Sequence, residues 1–237
     1  MIVLLLVALF LSTRTPASAA SRTSPSPAKT RHRPATNTSF RNHVLPVLTK
    51  AGCNSGACHG ATSGKGGLKL TLRGFDPLSD YHTLTRQALA RRIDAQEPAQ
   101  SLMLLKATGA LPHGGGVRFA RDSLDYRILL AWMQRGLPPP RDDDATITRL
   151  EVLPAQITLT PGAARTLRVR AHYSHGAVEE VTHWVKFTSN DSTIATVDDN
   201  GKVTVTGPGE VAITIWFSTK VAFATITVPY RSGVSGE

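Results

Sequence analysis

The second half of the chain carries a regular pattern of short strands, and this pattern restricts the fold more than any other feature. Apolar and polar residues alternate in segments 168–173, 202–206, 212–217 and 222–228. Turn signals lie around them, at Pro161-Gly162, His175-Gly176, Asn200-Gly201 and Pro208-Gly209, and Asp199-Asn200-Gly201 is typical of a tight hairpin. Evenly spaced short strands predict an all-β sandwich over residues 147–231.

This region resembles the bacterial Ig-like domain, group 2. The matching segments are Leu150-Glu151-Val152, 159–162 (LTPG), Val181-Thr182, 187–191 (FTSND), 195–198 (ATVD), Gly201-Lys202-Val203 and 207–212. The resemblance implies a spacer or adhesion module that contacts a cell surface or a polysaccharide. It implies no catalytic residue.

The N-terminus predicts export. An apolar run of secretory length at 2–11 and the small-residue pattern Ala17-Ser18-Ala19 indicate a signal peptide at 1–20. No basic residue precedes the run, so an uncleaved anchor or a misassigned start stays an alternative. Residues 21–38 are rich in Pro, Ser, Thr and Arg and predict a disordered linker. The run is the only long apolar one, so we expect a periplasmic or cell-surface protein without multi-span membrane insertion.

Residues 39–140 have a different pattern, which predicts a small all-α domain. Ser39 is a candidate N-cap for a helix that ends at Gly52, and further helices are predicted from Asp76-Pro77 to Leu89 and at 99–106. The closing helix begins after Asp122 or Ser123 and ends at Gly136. Phe40 and Trp132 are expected to meet where the first and last helices cross. Residues 141–146 form a linker and 232–237 a tail.

The helical region contains both cysteines of the chain, in the segment Cys53-Asn-Ser-Gly-Ala-Cys58-His59. Cys-x-x-Cys-His is the attachment signature of c-type haem, in which both thiols form thioethers and the histidine binds the iron. Here the spacer has four residues, small and flexible enough to bulge outward. A Cys53–Cys58 disulfide, a zinc site with His59 and another histidine, and free thiols are the alternatives. The Cys-His adjacency favours haem, because neither a disulfide nor zinc requires it.

Residues 39–140 also resemble the planctomycete-type cytochrome c domain. The shared stretches are 44–60, 64–76, 98–106, 112–119 and 132–138. The resemblance implies one covalent haem c held by Cys53 and Cys58, with His59 as the proximal iron ligand. Relatives place a Met-Pro-Pro segment before the closing helix, where this chain has Leu111-Pro112-His113-Gly114. The resemblance therefore implies His113 as distal ligand, with Met103 or an open sixth position as the alternatives.

We therefore expect an electron-transfer module rather than an enzyme, acting with an unidentified redox protein. An open sixth position would instead suit a haem-based sensor or a peroxidase-like site. The other alternative is a non-redox surface-interaction protein with a Cys53–Cys58 disulfide and a binding Ig-like domain. The formal net charge is +10, but residues 1–38 carry +5 of it, residues 39–146 another +5 and residues 147–237 none. Because half of the excess lies in the signal peptide and linker, we expect no nucleic-acid partner.

Overall fold

The computed structural model describes residues 38–230. Residues 38–146 form what we call the helical half, and residues 147–230 form the β half. The predicted signal peptide, the predicted linker except Thr38, and the predicted tail lie outside the described residues. Across residues 38–230, none of the helices reaches the length and apolarity that crossing a bilayer would require.

Short helices joined by turns make up the helical half. They are a π-helical turn (Phe40–Val44), α1 (Leu45–Lys50), a 3-10 turn (Leu72–Gly74), α2 (Pro77–Thr85), a 3-10 turn (Pro98–Gln100), α3 (Leu102–Ala107) and α4 (Leu124–Gln134).

Side-chain caps begin three of these elements and confirm the predicted starts. Ser39 accepts a hydrogen bond from the backbone N–H of Asn42, and Asp76 accepts one from Ser79. At α4 the cap is Ser123, which accepts from Tyr126. Each bond satisfies one of the backbone donors that a helix start leaves unpaired.

The predicted end of α2 at Leu89 is wrong, because the helix stops at Thr85. The guanidinium of Arg92 donates hydrogen bonds to the carbonyls of Thr83 and Gln87, at 2.8 and 3.0 Å. These bonds occupy backbone acceptors at the helix end and draw the chain into a different turn. Residues 88–90 then adopt left-handed φ angles of 54°, 58° and 56°. A contact from a later residue thus overrides the local helix pattern.

Three aromatic rings hold the helical half together. Phe40 is fully buried, with its ring centroid 5.3 Å from that of Trp132 and 5.6 Å from that of Tyr81. The Tyr81 hydroxyl donates to the carbonyl of Leu137, and the Trp132 indole N–H donates to that of Pro138. The predicted meeting of Phe40 and Trp132 is confirmed.

The β half contains ten strands. They are β1 (Ile147–Leu153), β2 (Gln156–Thr158), β3 (Ala164–Thr166), β4 (Arg168–Tyr173), β5 (Val178–Glu180), β6 (Lys186–Ser189), β7 (Ala195–Val197), β8 (Lys202–Val205), β9 (Gly209–Phe217) and β10 (Lys220–Val228). Hydrogen bonds join them in the orders β1-β4-β5, β2-β10-β9-β6 and β3-β8-β7. Only the β2–β10 pair among these is parallel.

Strand burial follows the predicted alternation. In β9, Val211, Ile213, Ile215 and Phe217 are buried, whereas the residues between them are more exposed. The hairpin predicted at Asn200-Gly201 is also present, since β7 and β8 pair antiparallel across it. The prediction of an all-β C-terminal half is confirmed.

The helical and β halves pack against each other inside one compact unit. The Lys50 ammonium, at the end of α1, donates to the carbonyls of Val185 and Asp199, at 2.8 and 2.7 Å. It also lies 5.9 Å from the ring centroid of Phe187. Only 12% of the Lys50 side chain is exposed, and the Asp199 carboxylate lies 3.6 Å from its ammonium, so the β half supplies both the hydrogen-bond acceptors and the counter-charge of Lys50.

Two histidines, one from each half, also lie at the contact between the helical and β halves. His43 of the helical half lies 3.9 Å from the carboxylate of Glu179, and His183 of the β half lies 3.3 Å from that of Asp125. Both imidazoles pack edge-on against Trp184, with centroids 6.1 and 6.5 Å away. Each half therefore presents one histidine to one carboxylate of the other.

We expect Lys50→Ala to lower the free energy of unfolding by about 2 kcal/mol, because it leaves two carbonyls at the contact without their donor. Chemical denaturation of the full chain measures this value. Lys69→Ala is the control, because it removes the same charge from the same half at an exposed position. Equal losses in the two variants would contradict the prediction.

We also expect the free energy of unfolding to fall as the pH drops below 6.5, in part through His43. Burial lowers the pKa of His43, although Glu179, Ser39 and Asp144 oppose the shift. The unfolded chain then binds a proton at this position at a higher pH than the folded chain, so acidification favours unfolding. His43→Gln should reduce the loss of stability between about pH 7.5 and about pH 5.5, whereas His82→Gln, at an exposed position, should not. An unchanged loss in His43→Gln would contradict this role.

Candidate functional site

Two imidazoles from distant loops face one cavity in the helical half. His59 follows the loop after α1, and His113 lies in the loop between α3 and α4. Their ring centroids are 6.2 Å apart, and the ring planes differ by 14°. The structure therefore brings the predicted proximal and distal ligands together.

Backbone carbonyls orient both rings. The Nδ1 atom of His59 lies 3.2 Å from the carbonyl oxygens of Lys65 and Leu68, and that of His113 lies 2.9 Å from the carbonyl of Gly116. A carbonyl only accepts hydrogen bonds, so Nδ1 is the protonated nitrogen of each ring, and in a neutral ring of this tautomer the lone pair is on Nε2. Metal-binding histidines are oriented in this way, by a hydrogen bond from the nitrogen that does not bind the metal.

The pKa of His59 also favours a ligand role. Burial lowers it, and the charges of His113 and Arg92 act in the same direction, while the bonds to Leu68 and Lys65 oppose them. A lowered pKa keeps the imidazole neutral near neutral pH, and only the neutral ring has the lone pair that binds a metal.

The glycine-rich segment after His59 forms a tight loop that supplies the two carbonyls. A Cβ atom at Gly60 would lie 2.3 Å from the carbonyl oxygen of Asn54, and one at Gly64 would lie 2.4 Å from that of Leu68. Gly64 also has a left-handed φ of 64°. Glycine is therefore required at both positions by close backbone approach.

Both cysteines lie at the same cavity, and neither is disulfide-bonded. The backbone N–H of His59 bonds to the carbonyl of Cys53 at 2.9 Å, which closes the intervening segment into a loop. Gly56 and Ala57 within this loop are exposed, whereas Asn54 is buried, so only the second half of the four-residue spacer faces solvent. Burial raises the pKa of the Cys53 thiol to about 11, against the opposing charge of Arg118.

The cavity has a volume of about 490 Å³ and mostly apolar walls. Its apolar side chains include Leu48 of α1, Leu68, Leu70, Leu84 of α2, Leu102 and Met103 of α3, Phe119, and Leu129 of α4. Met103, the alternative distal ligand, is thus a wall residue of the same cavity. Small-molecule and cofactor sites have volumes of about 300–1,000 Å³ and similarly apolar linings.

The donor set fits a haem better than a bare metal ion. Metal–imidazole bonds are about 2.0–2.1 Å long, and the 6.2 Å between the two ring centroids leaves room for one metal ion between the imidazoles. Within residues 38–230, no three His, Cys, Asp or Glu side chains converge as a bare-ion site would require. The cysteines and histidines instead border a cavity large enough for a cofactor.

Arg118 joins the two loops that carry the imidazoles, a role that the sequence analysis missed. Its guanidinium donates to the carbonyls of Ala51 and Gly115 and lies 3.8 Å from the Cys58 sulfur. Lys106 makes a related contact, donating to the carbonyl of Pro112 at 2.9 Å. No sequence pattern identifies such contacts, because their acceptors are backbone carbonyls.

Comparison with known proteins concerns the β half. Residues 146–228 match the family model of the bacterial Ig-like domain (group 2), which confirms the resemblance predicted for this region. The family model does not include residues 39–140. The resemblance of that region to a cytochrome c domain therefore stays a prediction. None of the curated proteins compared with the chain matches it.

Several solved structures are similar to part of the chain. S-layer protein SbsC domains 4 and 5 are 20% identical, with a TM-score of 0.32, over 37% of this chain and 54% of that one. SbsC domains 4–9 are 21% identical, with a TM-score of 0.33, over 39% and 16%. An intimin mutant of EHEC O157:H7 is 22% identical, with a TM-score of 0.25, over 37% and 47%. The chain thus spans about half or less of each, and the assignment of residues 146–228 to the Ig-like fold rests on the family match.

Proposed function

We propose that the helical half binds one haem c covalently and transfers electrons, as part of an exported protein whose Ig-like domain is a spacer or surface-contact module. The observation that carries this proposal is the pair of near-parallel imidazoles of His59 and His113, 6.2 Å apart at a cavity that both cysteines line. No catalytic residue is assigned, and the partner is a redox protein.

Each group at the cavity has a separate part in this function. Cys53 and Cys58 would supply the thioether sulfurs, and His59 and His113 the axial nitrogens. A bound haem iron supplies one-electron exchange between its ferric and ferrous states. The carbonyls behind the imidazoles keep both rings oriented during this exchange. The apolar walls restrict access of water to the site, which with the ligand types sets the potential.

We expect one covalent haem per chain when the full chain is expressed with cytochrome c maturation factors. Haem staining on a denaturing gel and a pyridine haemochrome spectrum measure attachment and stoichiometry. The double variant Cys53→Ala/Cys58→Ala should lose the stained band, because it lacks both thioether sulfurs, while Ser55→Ala, within the spacer, should keep it.

A colourless chain from a maturation-competent host would contradict the haem proposal. It would favour the second candidate function, a non-redox surface-interaction protein. The match of residues 146–228 to the Ig-like family supports that candidate and lends no support to haem binding. A Cys53–Cys58 disulfide in the colourless protein would support this second candidate function.

We expect His113 rather than Met103 to determine the spectrum of the loaded protein. His113→Met should raise the midpoint potential, because replacing histidine by methionine as axial ligand raises haem potentials. His113→Ala should let the reduced protein bind carbon monoxide. Met103→Leu, a volume-conserving change in the same cavity wall, should leave the potential and the carbon monoxide response unchanged. The opposite pattern would identify Met103 as the ligand, and carbon monoxide binding by the native protein would indicate an open sixth position.

A further inference from the structure

Four cationic side chains line the cavity, and we call them the cationic group: Lys65, Arg91, Arg92 and Lys106. No aspartate or glutamate is among the described residues that line it. The ion pairs of the described residues involve other cations, such as Arg41 with Asp144 and Lys50 with Asp199. The cavity is therefore apolar inside and positively charged, without an acidic side chain to balance it.

Arg92 is the most buried member, with only 6% of its surface exposed. Its guanidinium donates to the carbonyls of Thr83, Gln87 and Gly67, and the last of these bonds is 2.6 Å long. Carbonyl dipoles satisfy these hydrogen-bond donors but do not neutralise the charge. A buried cation without a counter-ion costs free energy, and an anion at this wall would offset that cost.

The backbone that presents Arg91 and Arg92 is itself strained. Residues 88–90 have left-handed φ angles of 54°, 58° and 56°, and none of them is glycine. This conformation is unfavourable for L-amino acids, because it places Cβ too close to the following carbonyl oxygen. Strain of this kind concentrates at ligand-binding and catalytic sites, where the surrounding structure maintains it. Here it precedes two arginines that line the cavity.

We propose that the cationic group binds carboxylates, so that the ligand of the cavity is an apolar ring system that carries carboxylate groups. Arginine suits this task because its guanidinium pairs with both oxygens of a carboxylate. Haem has this chemistry through its two propionates. The identification of the ligand as haem rests on the proposed function, whereas the carboxylate preference rests on the lining of the cavity.

Metal-free protoporphyrin IX and its dimethyl ester test this preference on the full chain without added haem. The two probes share one ring system, and the ester lacks the carboxylate charges. Neither contains iron, so the comparison is independent of axial ligation. Fluorescence titration gives both dissociation constants. We expect the diacid to bind about tenfold more tightly than the ester, the effect of about one charge-assisted hydrogen bond.

Arg91→Gln and Arg86→Gln are the matched variants. Both arginines are exposed and lie in the same connecting segment, but only Arg91 lines the cavity. Arg91→Gln should weaken binding of the diacid about threefold to tenfold and leave binding of the ester unchanged, since an exposed charge pair contributes modestly. Arg86→Gln should change neither value.

Equal affinities of the native chain for the two porphyrins would overturn the inference, and so would the absence of binding by either. Equal effects of Arg91→Gln and Arg86→Gln would exclude Arg91 from the site and overturn it as well. Covalent haem attachment without a diacid preference would overturn this inference alone. A diacid preference in a chain that never attaches haem would support the inference and contradict the proposed function.

Discussion

The packing of Phe40 between Trp132 and Tyr81 is the contact on which the helical half depends. The three rings lie on three different elements, so their contact fixes the positions of the π-helical turn, α2 and α4 at once. The π-helical turn continues into α1, which brings Leu48 to the cavity wall, and α4 brings Leu129. The aromatic contact thus packs together helices that are too short to be stable alone, and α1 and α4 both contribute to the cavity wall.

The site within this frame is oriented by the backbone rather than by other side chains. Both imidazoles are held through Nδ1 by carbonyls of nearby loop residues, and Arg118 joins the two loops through carbonyls of Ala51 and Gly115. Backbone groups have few alternative positions once a loop is closed by glycine at Gly60 and Gly64. The orientation of the two rings is therefore set by backbone contacts of the chain itself.

The features that local sequence determines could be predicted, and those that depend on distant contacts could not. The caps at Ser39, Asp76 and Ser123 and the hairpin at Asn200-Gly201 follow from residues close in the chain, and all are present. The meeting of Phe40 and Trp132 follows from two apolar helix faces. The early end of α2, by contrast, depends on Arg92. The role of Arg118 depends on two carbonyls that any residue type would supply.

The cations of the helical half lie in two places, at the contact with the β half and at the cavity. Lys50 turns toward the β half, where it donates to the carbonyls of Val185 and Asp199 and lies 3.6 Å from the Asp199 carboxylate. Among the described residues, no aspartate or glutamate lines the cavity beside the cationic group. The interface is therefore compensated internally, while the cavity keeps an excess of positive charge. Because α1 and α4 contribute both to the cavity wall and to the interface, the Ig-like domain is a structural support of the site as well as a neighbour in the chain.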